Sequence, residues 1–191
     1  MTADRSLSEA RRLLPEGSRV SGTISVVPQP GVIGVFADLP HGMKGFVDVL
    51  SLPRDAGQWP APGQVLQFEV LQHTRGQVRL WPLDPSFHHD EATPETTAEW
   101  RRAKLRYPVG STVTAQVTKV FPSNQEYWIR FTGDDSQRWS YALLSWTGEQ
   151  PVPGSVGQYR IVAHLDTTQR IMVTPEPKPG QPACARTSPL P

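Results

Sequence analysis

The side chains best suited to chemistry in this 191-residue chain are few. His88-His89-Asp90 sets two imidazoles and a carboxylate side by side, donor types that hold transition metals. Adjacent histidines on a polar linker lack a second ligand pair, so no metal site is expected there. Cys184 is the only cysteine, which excludes an internal disulfide and fits a reducing compartment. No Ser/His/Asp set, phosphate-cradling glycine loop or paired carboxylates stand at usable spacing. The expectation is a protein that is not an enzyme and needs no cofactor. Its six tryptophans are accounted for by packing and helix docking, the usual work of aromatic side chains.

The elements that must position any site centre on residues 31–51. Val35, Phe36, Ala37, Asp38 and Leu39 alternate as a strand with two unlike faces does. Pro40-His-Gly-Met-Lys-Gly45 supplies turn residues, and Phe46, Val47 and Val49 begin a second β-rich run. Gly34 inside the first run marks a bulge or sharp bend, which a small closed barrel needs.

Composition sets the limits. Hydrophobic residues make up 37% of the chain, beside 20 prolines and 15 glycines, so modest cores with many turns are expected. Net charge is +1, which by itself demands neither nucleic acid nor an anionic membrane. The start, Met-Thr-Ala-Asp-Arg-Ser, has no signal-peptide core, and no apolar run reaches membrane-spanning length. These features predict a soluble cytoplasmic protein.

In chain order, Ser6-Leu-Ser-Glu9 has capping-box spacing and predicts a helix over about Leu7 to Leu14, within an N-terminal segment 1–16. Five strands follow within 17–83: Ser18 to Val27, the central pair, Gln64 to Gln72, and Gln77 to Trp81, the last two joined at Arg75-Gly76. Residues 84–108 are linker and helix, with Thr93 as N-cap and basic residues late, where they suit the helix dipole.

The pattern then begins again. Pro15-Glu-Gly-Ser-Arg-Val20 matches Pro108-Val-Gly-Ser-Thr-Val113, and Pro60-Ala-Pro-Gly-Gln-Val65 matches Pro151-Val-Pro-Gly-Ser-Val156. Phe68 corresponds to Tyr159, Val70 to Ile161, His73 to His164, and Leu50-Ser51 to Leu144-Ser145. Matches that keep their order mean an internal duplication. The expectation is a mainly β chain: two tandem five-stranded OB-like barrels at 17–83 and 109–174, each preceded by a short helix. His73 and His164, recurring at a strand end, point to a structural hydrogen bond. Residues 175–191, proline-rich and polar, read as a disordered tail.

Residues 17–82 resemble the S1 RNA-binding domain, a branch of the OB fold. The resemblance rests on Gly17-Ser-Arg-Val-Ser-Gly-Thr, Ile33-Gly-Val-Phe-Ala-Asp-Leu39, Gly45-Phe-Val-Asp-Val-Leu-Ser51, Pro62-Gly-Gln-Val and Val78-Arg-Leu. It covers about a third of the chain directly, and about two thirds through the duplication. It implies a binding face of aromatics on the second and third strands, a histidine on the third strand and basic residues nearby. By position, Phe36 is one aromatic, Ile33 stands where the other would be, Asp48 where the histidine would be, and Arg79 is a basic contact. In the second, divergent copy Tyr127, Trp128, Arg130 and Tyr141 fall in the corresponding strands, Asp134-Asp135 in the adjoining turn, and Ala142 in the part matched to Asp48.

Two functions of different class follow. In the first, linked barrels hold single-stranded RNA by base stacking on Phe36, Tyr127 and Trp128, with Arg79 and Arg130 beside them. In the second, a protein-interaction or regulatory module has kept the barrel and lost the RNA face, which the near-neutral charge and Asp48 favour.

Overall fold

The structure is a computed structural model that describes residues 7–74, 77–89, 94–133, 139–146 and 148–176. The chain divides into two compact units, Met1–Ala98 and Glu99–Pro191. The N-caps expected at Ser6 and Thr93, the turn at Arg75-Gly76, Asp90, Asp134-Asp135 and the segment 177–191 lie outside the described residues.

The first unit contains α1 (Leu7–Leu13), β1 (Arg19–Val26), β2 (Gly34–Asp38), β3 (Lys44–Asp48), β4 (Val65–Thr74) and β5 (Gln77–Pro82). The strands form a closed barrel in the order β1-β2-β3-β5-β4, with β4 paired back onto β1. This is the five-stranded OB-type arrangement. Alternation decides which side chains enter it. Val20, Ile24, Val35, Ala37, Val47, Phe68, Val70, Val78 and Leu80 fill the interior, and Ala10, Leu13 and Leu14 of the helical segment pack against it.

Two glycines shape this barrel. Gly34 has φ +121, and a Cβ there would lie 2.2 Å from the Val47 carbonyl oxygen. Only glycine accepts that conformation at that distance, so Gly34 opens β2 where a bulge or bend inside the strand was expected, and the register irregularity lies on β1 between Ile24 and Val26. Gly45 lies on the closing seam, where β3 runs parallel to β5. A Cβ at Gly45 would meet Leu80 Cδ1 at 2.3 Å, so the missing side chain lets the two strands approach.

The second unit contains most of α2 (Pro94–Arg106), then β6 (Thr112–Phe121), β7 (Glu126–Phe131), β8 (Tyr141–Ser145), β9 (Val156–Leu165) and β10 (Arg170–Pro175). Its sheet has the order β10-β9-β6-β7-β8. That is the order of the first barrel, opened between its third and fifth strands. The expected second barrel is therefore a five-stranded sheet without the closing ladder. Strand registers place Ala142 where Gly45 stands and Val173 where Leu80 stands. At this place Ala142 adds the methyl that Gly45 omits, and Val173 drops the Leu80 Cδ1 that such a methyl would meet in the first unit.

The core of this unit contains Trp100 and Tyr107 beside Ala115, Val117, Ile129, Phe131, Tyr159, Ile161 and Ile171. Trp100 Nε1 donates to Asp166 Oδ1 at 2.8 Å, and Lys104 Nζ donates to the same oxygen at 2.7 Å. Lys104 first, then Trp100, holds the Asp166 carboxyl below the usual carboxylate range. Arg106 Nη2 donates to the Gly133 carbonyl. The late basic residues of α2 thus do more than suit the helix dipole: two of them fasten the helix to the sheet.

β10 runs through Pro175, one residue into the segment expected as tail, and Glu176 is fastened beyond it. Its backbone N–H donates to the Gln158 carbonyl, and its carboxylate accepts from Arg160 and Thr112. A chain ending at Thr174 should therefore melt at a lower temperature than one ending at Glu176, which paired thermal scans can check.

Candidate nucleic-acid interface

In the first unit the outward side chains of β2, β3 and β5 form three rows. Asp38 stands opposite Lys44, Phe36 opposite Phe46, and Gly34 opposite Asp48. Lys44 ion-pairs with Asp38 and holds its carboxyl below the usual range. The Phe36 and Phe46 rings lie 4.9 Å apart at 53°. Arg79, in register with Phe46 across the parallel seam, sets its guanidinium carbon 4.6 Å over the Phe46 ring. Its Nη1 donates to Asp48 Oδ2 at 3.3 Å, while Asp48 Oδ1 accepts from the Leu50 N–H at 3.1 Å.

Phe36 and Arg79, both expected at the site, are thus brought together through Phe46, a residue not expected there. The signal for it was present: Phe46 and Asp48 are two residues apart on one strand and so share a face. Ile33 precedes β2 and is exposed in the connection before it.

In the second unit the corresponding face carries exposed aromatics. Trp128 and Tyr141 are each 37% exposed. Arg130 pairs across the ladder with Tyr141 and places its guanidinium carbon 5.7 Å over that ring. Lys119 stands opposite Trp128, with its ammonium 5.0 Å over Phe121. Neither Arg130 nor Lys119 has an ion pair among the described residues. Asp48 has Ser145 as its counterpart, not Ala142, and Val47-Asp48 rather than Leu50-Ser51 matches Leu144-Ser145. The offset of three residues equals the length of the 3-10 turn Val49–Ser51 that directly follows the third strand of the first unit, a turn with no counterpart after Tyr141–Ser145 among the described residues.

Tyr127 is not on this face. It is 4% exposed and belongs to the core with Ile129 and Phe131, because neighbours along a strand point to opposite sides. Burial, followed by the proximity of Tyr159, pushes its hydroxyl well above the usual phenol range. Tyr127→Phe should cost about 1 kcal/mol of stability, the worth of one hydrogen bond such as that with Tyr159. Denaturant melts of the variant check this.

The histidines separate as well. His164 Nε2–H donates to the Tyr107 carbonyl at 2.8 Å, the structural bond expected of it. His73 is fully buried; neither ring nitrogen has a hydrogen-bond partner among the described residues, and the nearest carboxylate, Glu16, is 4.0 Å away. His88 packs its ring 5.2 Å from Trp81, while the His89 N–H donates to the Ser51 carbonyl. The described residues contain no group of three or more His, Cys, Asp or Glu able to hold a metal ion. None of their helices is long and apolar enough to cross a membrane.

The chain thus presents an OB-type barrel and a related open sheet, each with aromatic and cationic side chains on its outer face. No protein-family model and no curated protein matches the chain. Among solved structures it is similar to a multidomain protein with nucleic acid binding domains from Streptococcus pneumoniae TIGR4, at 17% identity and TM-score 0.28 over 84% of this chain and 51% of that one. It is also similar to GSP13 from Bacillus subtilis, at 20% identity and TM-score 0.32 over 44% and 68%. A third is the intact alpha subunit of aIF2 from Pyrococcus abyssi, at 19% identity and TM-score 0.31 over 47% and 35%. The chain spans about half the length of the pneumococcal protein. Scores of that size define no common overall fold, so only this chain's own side chains can say what its faces hold.

Proposed function

We propose that this is a cytoplasmic RNA-binding protein built from two S1-like repeats, with no catalytic role, that holds single-stranded RNA on their outer faces. The second face supplies most of the affinity. The observation that carries this reading is the set Lys119, Trp128, Arg130 and Tyr141: two exposed rings and two cations without ion pairs among the described residues, on adjoining strands. Rings of this kind stack bases of any sequence, and each stack contributes roughly 1–3 kcal/mol. The cations meet the phosphates. In the first face Arg79 and Lys44 already face carboxylates, which lowers the pull on a polyanion.

That neutralised first face also supports the second reading, a protein-interaction module that has lost RNA binding. Ultraviolet crosslinking of the full chain to a uridine-rich single-stranded RNA, followed by peptide mapping, separates the two. Adducts should fall in Glu126–Phe131 and Tyr141–Ser145. Adducts confined to the first barrel would move the main contact to that face, and no adducts would favour the interaction module.

A further inference from the structure

Building on the RNA-binding reading above, we infer that the first barrel's face is a base-selective subsite for an unpaired guanine, with the Asp48 carboxylate reading the base edge. Asp48 is fixed, not loose. Oδ1 accepts from the Leu50 N–H and Oδ2 from Arg79 Nη1. The side chain is nevertheless 45% exposed. Each carboxylate oxygen has two lone pairs, so both oxygens keep an acceptor site directed away from these donors. Beside the carboxylate lie the half-buried Phe36 ring and the Arg79 guanidinium, held over Phe46. Aromatic rings and arginine planes of this kind stack unpaired bases, whose Watson–Crick edges are then read by hydrogen bonds.

Two parallel acceptors select among the four bases. Guanine alone offers two neighbouring donors, N1–H and the exocyclic N2 amine, which fit the two oxygens of one carboxylate. Adenine and cytosine offer one amine beside a ring lone pair, which would oppose the second oxygen. Uracil offers one N–H between two carbonyls, which repel the carboxylate on both sides. The aspartate that weakens this face for phosphate is thus the feature that gives it sequence preference. The second face has Ser145 at the matching place, and Glu126 opposite it is fully buried, so no exposed carboxylate is offered there and no such preference is expected. Phosphate contacts and stacking on one repeat then position the strand, while a base-edge contact on the other specifies it.

The test uses the full chain and three short single-stranded RNAs in fluorescence anisotropy: an oligoadenylate, the same strand with one central guanosine, and the same strand with inosine in its place. Guanosine should tighten binding about tenfold over adenosine, the range of a good bidentate base contact. Inosine, which lacks the N2 amine, should lose most of that gain. Asp48→Asn keeps an oxygen to accept from Leu50 N–H but replaces one acceptor by a donor. It should abolish the guanosine preference while leaving oligoadenylate affinity equal or higher. Equal binding of all three RNAs by the unaltered protein, or a guanosine preference that survives Asp48→Asn, would overturn the subsite and leave RNA binding standing. Failure of all three RNAs to bind at low salt would overturn both.

Discussion

Gly34→Ala should unfold or nearly unfold the first barrel, at a cost of more than about 3 kcal/mol where domains of this size hold only about 5–15. Two effects add. The backbone there has φ +121, which an alanine adopts only under strain, and the new methyl would lie 2.2 Å from the Val47 carbonyl oxygen. That oxygen belongs to the neighbouring strand and cannot swing aside as a flexible side chain would. The Phe46 ring, 3.1 Å from the same point, would be displaced too, and with it the surface on which Arg79 rests. Urea denaturation with a probe in each unit should find a loss confined to the first. An unchanged midpoint would mean that β2 can straighten at this place. The second unit has Glu126 at the matched position, and the left-handed turn falls one residue earlier, at Gln125.

Trp128→Ala should weaken single-stranded RNA binding about tenfold, since a stacked base is worth roughly 1–3 kcal/mol. The ring is 37% exposed and lies outside the core of its unit, so the same change should cost less than about 1 kcal/mol of stability. Trp128→Phe keeps a π-face and should recover most of the affinity. Calorimetric binding alongside thermal melts distinguishes this from packing. A core ring would lose about 3–5 kcal/mol of stability on truncation to alanine, and phenylalanine would not restore binding selectively.

The elements were largely legible in the sequence because each rests on local rules. Alternation gave the strands, and the repeated Pro-x-Gly-Ser and Pro-x-Pro-Gly turns gave the duplication. Closure was less legible, because it depends on pairing between strands far apart in the chain, β3 with β5 in the first unit, which local alternation does not report. The face was legible by halves. Phe36, Arg79, Trp128 and Arg130 do lie on outer surfaces, since each has the right strand phase. Tyr127 was misassigned although its own neighbour contradicts it: two adjacent strand residues cannot both face outward. Phe46 and the true counterpart of Asp48 needed cross-strand register, which a single sequence does not carry.

The claim that these faces hold RNA is tested most directly by titrating the full chain with fluorescent single-stranded RNA at about 50 mM and 200 mM salt. If Lys119 and Arg130 each meet one phosphate, log affinity should fall with log salt at a slope of about −1.4, so affinity should drop about sevenfold between the two conditions. Arg130→Ala should make that slope shallower by about 0.7. No binding at the lower salt would contradict the RNA reading and favour a protein partner, and binding whose slope ignores Arg130 would take the phosphate contact away from the second face.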